Sequence, residues 1–444
     1  MEEYLTMSKL KNQQLFNSEL NDSFANISPK IARILNKALE GKDITISEIS
    51  LLLTTNGPNL NAVVWTADLL RAKTVGDKVT YVVNRNINFT NVCIKGCGFC
   101  AFSRDYRTEE SYILPTEEII RRGKQAYMLG ATELCIQAGL PPKMNGDYYI
   151  ELCKEIKKEI PNIHIHGFSP EEVLYGSIRS KTSIKEYLIE LKNAQVTSLP
   201  GTSAEILDQK IRDTISPGRI TVKQWIDVIT TAHKIGIPTT STMMYGHIET
   251  NHHIANHLVL LRNIQKSTEG FTEFVPLSFI FDEAPMFKKQ SIPNLRKGPS
   301  GIEVLKIHAV SRIALNNWIP NIQVSWPKEG PNIAQILLNA GVNDMGGTLM
   351  NESISTAAGA QHGQLLRPRE IRQLIWETGR TPAERYTDYS IHKIFSEKEE
   401  NSDPLDSIEE NSENIFGSYK QLINMPKYKY IHPNKSDKKL QSPF

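Results

Sequence analysis

A chain of 444 residues is long enough for one large domain with extensions or for two ordinary ones. With 40% hydrophobic and 23% charged residues it belongs among soluble globular proteins, and its 51 Lys and Arg nearly cancel its 49 Asp and Glu. That balance leaves no basic field for nucleic-acid phosphates, and no stretch of about 18 apolar residues offers a membrane span.

The N-terminal stretch "MEEYLTMSKLKNQQLFNSEL" has no basic region leading into an apolar run, so no signal peptide is read there and the expected compartment is the cytoplasm. In a reducing compartment five cysteines are not a disulfide framework. Residues 1–78 read as a helical extension. In "SPKIARILNKALEG", Ser28 is the expected cap, Pro29 opens the helix, Gly41 follows its end, and Ile31, Ile34, Leu35, Ala38 and Leu39 share one face.

From Val79 onward, strand-like apolar runs alternate with amphipathic helical patterns. The runs are "VTYVVNRNINF", "TELCIQAG", "NIHIHGF", "QVTSLPG", "IPTTSTMMYG", "TEFVPLSFI", "NIQVSW" and "VNDMGGTLM". Such alternation predicts a parallel sheet with crossover helices, and eight strands predict a closed (βα)8 TIM-type barrel over 79–394. An open six-unit barrel or a doubly wound sheet is the alternative. The glycines of "DMGGT", Gly346 and Gly347, are read as a turn. Beyond 394 the composition shifts to an acidic block, 396–414, with eight acidic residues against one lysine, and a basic block, 417–444. The region 395–444 is therefore expected to be a disordered tail.

The first strand is followed by "NVCIKGCGFCAF", with Cys93, Cys97 and Cys100 within eight residues. Buried packing would not require that spacing. A structural zinc site normally has four ligands and would need a distant lone histidine here. A three-thiolate loop is better explained by a 4Fe-4S cluster that keeps one iron without a protein ligand, at the end of the barrel where such folds carry their sites. Cys135 and Cys153 sit in apolar patterns and are expected to be packing residues.

The CxxxCxxC spacing after a first βα strand, with Phe99 before the last cysteine, resembles the radical S-adenosylmethionine (SAM) superfamily. The wider set "NFTNVCIKGCGFCAFSRDYR", "IHIHGFSPEEVLYG", "SLPGTSAEILDQKIRDTISPGRI", "TTSTMMYGHIET" and "NIQVSWPKEGP", from about Asn59 to Tyr389, is similar to the CofH-type half of FO synthase, a 4-hydroxyphenyl transferase family. Related futalosine-pathway enzymes of menaquinone synthesis share part of this pattern. The resemblance implies a cluster on Cys93, Cys97 and Cys100, with the open iron chelated by SAM and with Phe99 at the SAM site. It further implies an adenosyl radical that takes a hydrogen atom from L-tyrosine, Cα–Cβ fragmentation, and transfer of the 4-hydroxybenzyl group to C5 of 5-amino-6-(D-ribitylamino)uracil. One triad in 444 residues then implies one half-reaction, a separate radical SAM partner enzyme, and an external electron donor.

Polar residues at the C-terminal ends of the predicted strands are the candidate substrate contacts: Arg104, His166, Glu205, Tyr245 and Glu249, followed by His247, Gln323 and Ser325. His253 and His257 lie four apart on a predicted helix, and that face is read as solvated rather than metal-binding. A reading of another class is a non-catalytic iron-sulfur electron carrier or a zinc-stabilised binding module.

Overall fold

The computed structural model describes residues 26–395, 403–408 and 411–432. Eight parallel segments follow one another around a ring. The first is a single strand with a break, Lys78–Val82 and Asn84–Ile87. It pairs with Glu133–Ile136, which pairs with His164–His166. The ring continues through the bridges His166 to Ser198 and Leu199 to Thr239 into Thr239–Tyr245, which pairs with Phe271–Ser278. Bridges from Phe274 to Ile322 and from Gln323 to Asp344 lead to Asp344–Gly347, which pairs back on the first strand. Every pair is parallel. The fold is the expected barrel, and each of the eight predicted runs supplies one strand.

Crossover helices cover the outside, among them Thr116–Met128, Tyr148–Glu159, Val222–Lys234 and Asn251–Thr268. Gly301–Leu315 buries residues on all sides because the extension helix Gly57–Val75 packs over its outer face. Pro29–Leu39 buries Ile31, Ile34, Leu35 and Ala38 as expected, although the Ser28 side chain makes no capping bond. No helix among the described residues is long and apolar enough to cross a membrane.

Gly346 and Gly347 lie in the eighth strand rather than in a turn. Gly347 is needed there for space, since a Cβ would stand 2.1 Å from Oδ1 of Asn84 on the neighbouring strand. After the eighth strand and the helix Pro368–Glu377, Thr381–Arg385 adds in parallel to the first strand and turns back as Ile391–Ile394. This hairpin closes the N-terminal end of the barrel. Arg385 reaches Asp344 at 2.6 Å, Tyr389 bonds to Glu273, and Tyr386 stacks on His164.

The expectation of disorder beyond 394 is corrected for Phe395, 403–408 and 411–432; the remaining tail residues lie outside the described residues, as do 1–25. Leu405, Phe416, Tyr419, Leu422 and Tyr428 are buried in the main core. Asp406 pairs with Arg372 at 3.0 Å, and Ile113 donates its N–H to the Tyr428 carbonyl at 2.8 Å. Sparse aromatic anchors dock this segment, and charge blocks averaged over 20 or 30 residues conceal them.

Candidate active site at the barrel mouth

The loop after the first strand is closed at its base, where Cys93 donates to the Arg104 carbonyl at 3.0 Å and Arg104 to that of Asn91 at 2.7 Å. Its tip is tied to three other loops. Ile94 donates to the Leu140 carbonyl, Gly98 to that of Ile215 at 2.8 Å, and Met286 to that of Gly98 at 2.7 Å. A Cβ on Gly98 would lie 2.9 Å from the Cβ of Met286 and 3.1 Å from the Ile215 carbonyl, so a side chain would push these loops apart. Gly96 faces open space.

This loop brings Cys93, Cys97 and Cys100, none in a disulfide, to a single cavity of ≈ 260 Å³. Burial pushes the Cys97 thiol up to about 12, against the opposing field of Arg219, and burial also raises Cys93. A metal that takes such a thiol as thiolate compensates for the lost hydration. No three His, Cys, Asp or Glu side chains among the described residues are gathered as for a single metal ion. Three thiols of one loop along one roomy cavity fit a polynuclear cluster, in which each thiolate takes a different iron.

Beside the thiols is a lattice of buried charges. Arg219 pairs with Glu171 and Glu205, each at 3.1 Å, donates to Ser203 Oγ, and lies over the Phe99 ring at 5.8 Å. Glu205 also accepts from Arg212 at 2.8 Å, and Lys95 stands 3.3 Å from Glu171. Burial raises the Glu171 carboxyl, but Arg219 and Lys95 outweigh it and hold the group below its ordinary range. Glu172 lacks such a partner. Burial lifts it to about 7, although Ser169 and the Ala138 N–H at 2.9 Å bond to it. The lining also includes the apolar Phe102, Leu140, Met244, Leu277 and Phe279, with Gln137, Thr242 and Lys328 among them.

Of the residues singled out from the sequence, the three cysteines, Phe99 and Glu205 line this cavity. The others are engaged around it. Arg104 faces the back of the loop, paired with Glu110 and lying 5.9 Å from the Tyr419 ring. His166 bonds to Ser198 Oγ at 2.5 Å between adjacent barrel strands. Glu249 accepts from the amides of Gly246 and His247 and pairs with Arg296, so it shapes its own turn. His247 is fully buried against Glu249. Tyr245 is buried, 3.4 Å from Glu329, and Gln323 stands beside Gly346. The carbonyl of Ser325 accepts from Lys328 and Glu329.

His257 is buried rather than solvated. Its Nδ1 accepts from the Leu207 N–H and its Nε2 bonds to the Thr242 carbonyl, both at 3.0 Å, which leaves no lone pair for a metal. His253 caps its helix through Thr250. Cys153 is fully buried, as expected, but Cys135 is only half-buried, on a strand, in the field of Glu133, Glu172, Glu352 and Glu273. Sequence reasoning passed over Glu171, Glu172, Arg219 and Lys328, all of which line the cavity. "SPEE" and "SPGR" carry three of these charges at helix starts or turns, where a solvated role is the ordinary reading.

Residues 87–261 match the model of the radical SAM superfamily, and residues 268–398 match that of the CofH/MqnC C-terminal region. The 5-amino-6-(D-ribitylamino)uracil–L-tyrosine 4-hydroxyphenyl transferase of Methanothermobacter thermautotrophicus is 45% identical over 365 residues, which is 82% of this chain and 98% of that one. The protein of the same name from Methanocaldococcus jannaschii is 50% identical over 328 residues, 73% of this chain and 90% of its own. An FO synthase of Mycobacterium leprae is 43% identical over 347 residues, which are 78% of this chain and 40% of that protein. Among solved structures, methylornithine synthase superposes with a TM-score of 0.61 at 19% identity, covering 79% of this chain and 97% of its own, a likeness of fold.

Proposed function

The chain belongs to the family of 5-amino-6-(D-ribitylamino)uracil–L-tyrosine 4-hydroxyphenyl transferases within the radical SAM superfamily, and from that premise we propose how its mouth cavity performs the reaction. The enzyme joins the 4-hydroxybenzyl group of L-tyrosine to the aminouracil in F0 biosynthesis. The superfamily implies a 4Fe-4S cluster and SAM, and we assign the cluster's protein ligands to Cys93, Cys97 and Cys100. The observation that carries this assignment is the convergence of the three thiols of one loop on one cavity at the C-terminal end of the strands.

When bound, the cluster and SAM supply an electron and a hydrogen-atom acceptor. The chain's own residues supply the rest. The bonds from Gly98 to two neighbouring loops fix the cysteine loop, and Arg219 sets a positive charge beside the thiolates while its carboxylate partners hold it still. Phe99 and Glu205 face the space that SAM and substrate share. Phe102, Leu277 and Phe279 on the same wall give a reactive fragment an apolar surface to rest on before it meets the uracil.

The matched region makes up 40% of the FO synthase of Mycobacterium leprae, and in this reading ring closure falls to a second radical SAM activity, with the electron coming from an external donor. The cytoplasm, where thiols stay reduced, suits the cluster. The test is anaerobic incubation of cluster-loaded protein with SAM, reductant, tyrosine and the ribitylaminouracil. The expected outcome is the benzylated adduct by mass. Turnover of futalosine-pathway precursors in its place would overturn the reading.

A further inference from the structure

This inference rests on the transferase reading, which brings into the cavity an amino acid whose carboxylate must leave water. Three cations line that cavity, Lys95, Arg219 and Lys328. Two are already committed. Lys95 pairs with Glu171 at 3.3 Å and donates to the Gly218 carbonyl at 2.6 Å, and Arg219 is held by Glu171, Glu205 and Ser203. The ammonium of Lys328 makes no ion pair and no hydrogen bond among the described residues. A partly buried ammonium that faces a cavity without an acceptor of its own gains a charge-assisted bond when a ligand supplies one.

Two carboxylates stand near enough to attract Lys328, and both are engaged elsewhere. Glu352 accepts from the amides of Ile354 and Ser355 at 3.0 Å each, and Glu329 accepts from Ser278 Oγ at 2.6 Å. The aim of Lys328 is set by the backbone. Trp326, buried, ties the short helix Trp326–Glu329 to the eighth strand by donating its indole N–H to the Gly347 carbonyl at 2.8 Å, and the Lys328 N–H donates to the Ser325 carbonyl at 3.0 Å. A positive group is thus fixed at the C-terminal end of the seventh strand, inside the same cavity as the three cysteines.

We propose that Lys328 is the binding residue for the α-carboxylate of the tyrosine substrate. The ammonium and carboxylate form a charge-assisted hydrogen bond in a water-poor site, which holds the amino-acid end of tyrosine in place while the bond between Cα and Cβ breaks.

The test measures binding without turnover. Ring-labelled tyrosine is dialysed to equilibrium against cluster-loaded enzyme with SAM and no reductant. In Lys328→Met, which keeps the stem and removes the charge, tyrosine retention is expected to weaken about 10- to 100-fold. Tyramine, which lacks the carboxylate, should bind parent and variant alike, and Lys328→Arg should recover part of the tyrosine affinity. Iron content and the change that SAM causes in the reduced cluster's paramagnetic resonance spectrum verify that each variant is intact, and Lys328→Gln carries the same comparison if Lys328→Met does not fold. Equal tyrosine retention by parent and charge-free variant, or equal losses for tyrosine and tyramine, overturns the assignment and leaves the transferase reading standing. A cluster-bearing parent that does not retain tyrosine overturns that reading, and this assignment with it.

Discussion

Arg219 donates to Glu205 across 3.1 Å, and both side chains are largely buried beside the cysteine loop. The same guanidinium holds Glu171, so it links the loops after the third and fourth strands to the wall that carries Phe99. Removing it in Arg219→Met leaves Glu171 without its main partner. Breaking such a buried pair costs about 3–5 kcal/mol. The expected outcome is a lower unfolding temperature of the cluster-free protein and reduced iron uptake, with Arg219→Lys intermediate. Unchanged values for both would show that the lattice does not support the site.

The cysteines divide into two classes. Cys93→Ala, Cys97→Ala and Cys100→Ala should each lower iron content and abolish SAM cleavage, because each thiolate is assigned a separate iron. Cys153→Ala removes only a buried packing group from the helix Tyr148–Glu159 and should keep the cluster at a cost of about 1–2 kcal/mol in stability. Iron and sulfide analysis of the anaerobically purified variants decides this. An intact cluster in Cys97→Ala would contradict the assignment.

The C-terminal segment is expected to support the cysteine loop from behind. Tyr419 donates to the Phe102 carbonyl at 3.1 Å, and its ring meets that of Phe102 at 5.3 Å. Each buried anchor contributes about 1.5–3 kcal/mol, so ending the chain after Phe395 should cost several kcal/mol and lower cluster occupancy. Calorimetry and iron content of the truncated protein test this. A truncated protein as stable and as iron-loaded as the full chain would show that the segment is dispensable.

His257 gives a pH signature. Burial, which outweighs its bond to Thr242, holds its pKa down at about 3. A histidine depressed in the folded state contributes stability that is fully present above its unfolded pKa of about 6.5 and is lost as pH falls toward the folded value. Between those limits the loss is about 1.4 kcal/mol per pH unit. Denaturant unfolding of the cluster-free protein should therefore show the advantage of wild type over His257→Gln shrinking as pH falls below about 6.5. A constant difference would mean that His257 titrates normally.

Much of the fold was legible because each barrel strand is a short apolar run flanked by helical patterns, and even the strands joined by single bridges, at Ser198 and Ile322, carry that signal. The cysteine loop was legible because chemistry restricts thiol spacing. Lys328 and Arg219 were not, because a charge in "SWPKEG" or "SPGRI" looks the same whether it meets solvent or a cavity. Only the packing of Trp326 or the convergence of Glu171 and Glu205 distinguishes the two. Arg104 and Glu249 lie where a barrel places its functional groups, and in this structure local turns engage their hydrogen bonds. The tail misled because disorder was judged from charge density, whereas docking depends on a few aromatic anchors.

The most direct measurement of the central claim follows the atoms of tyrosine. Cluster-loaded enzyme is supplied with SAM, a reductant, the ribitylaminouracil, and tyrosine labelled either in the ring or at Cα. The ring label is expected in the uracil adduct, and the Cα label in 2-iminoacetate or its hydrolysis product glyoxylate. Recovery of the Cα label in the adduct would mean that the Cα–Cβ bond stays whole, and the transferase chemistry would be contradicted even with the cluster and SAM cleavage intact.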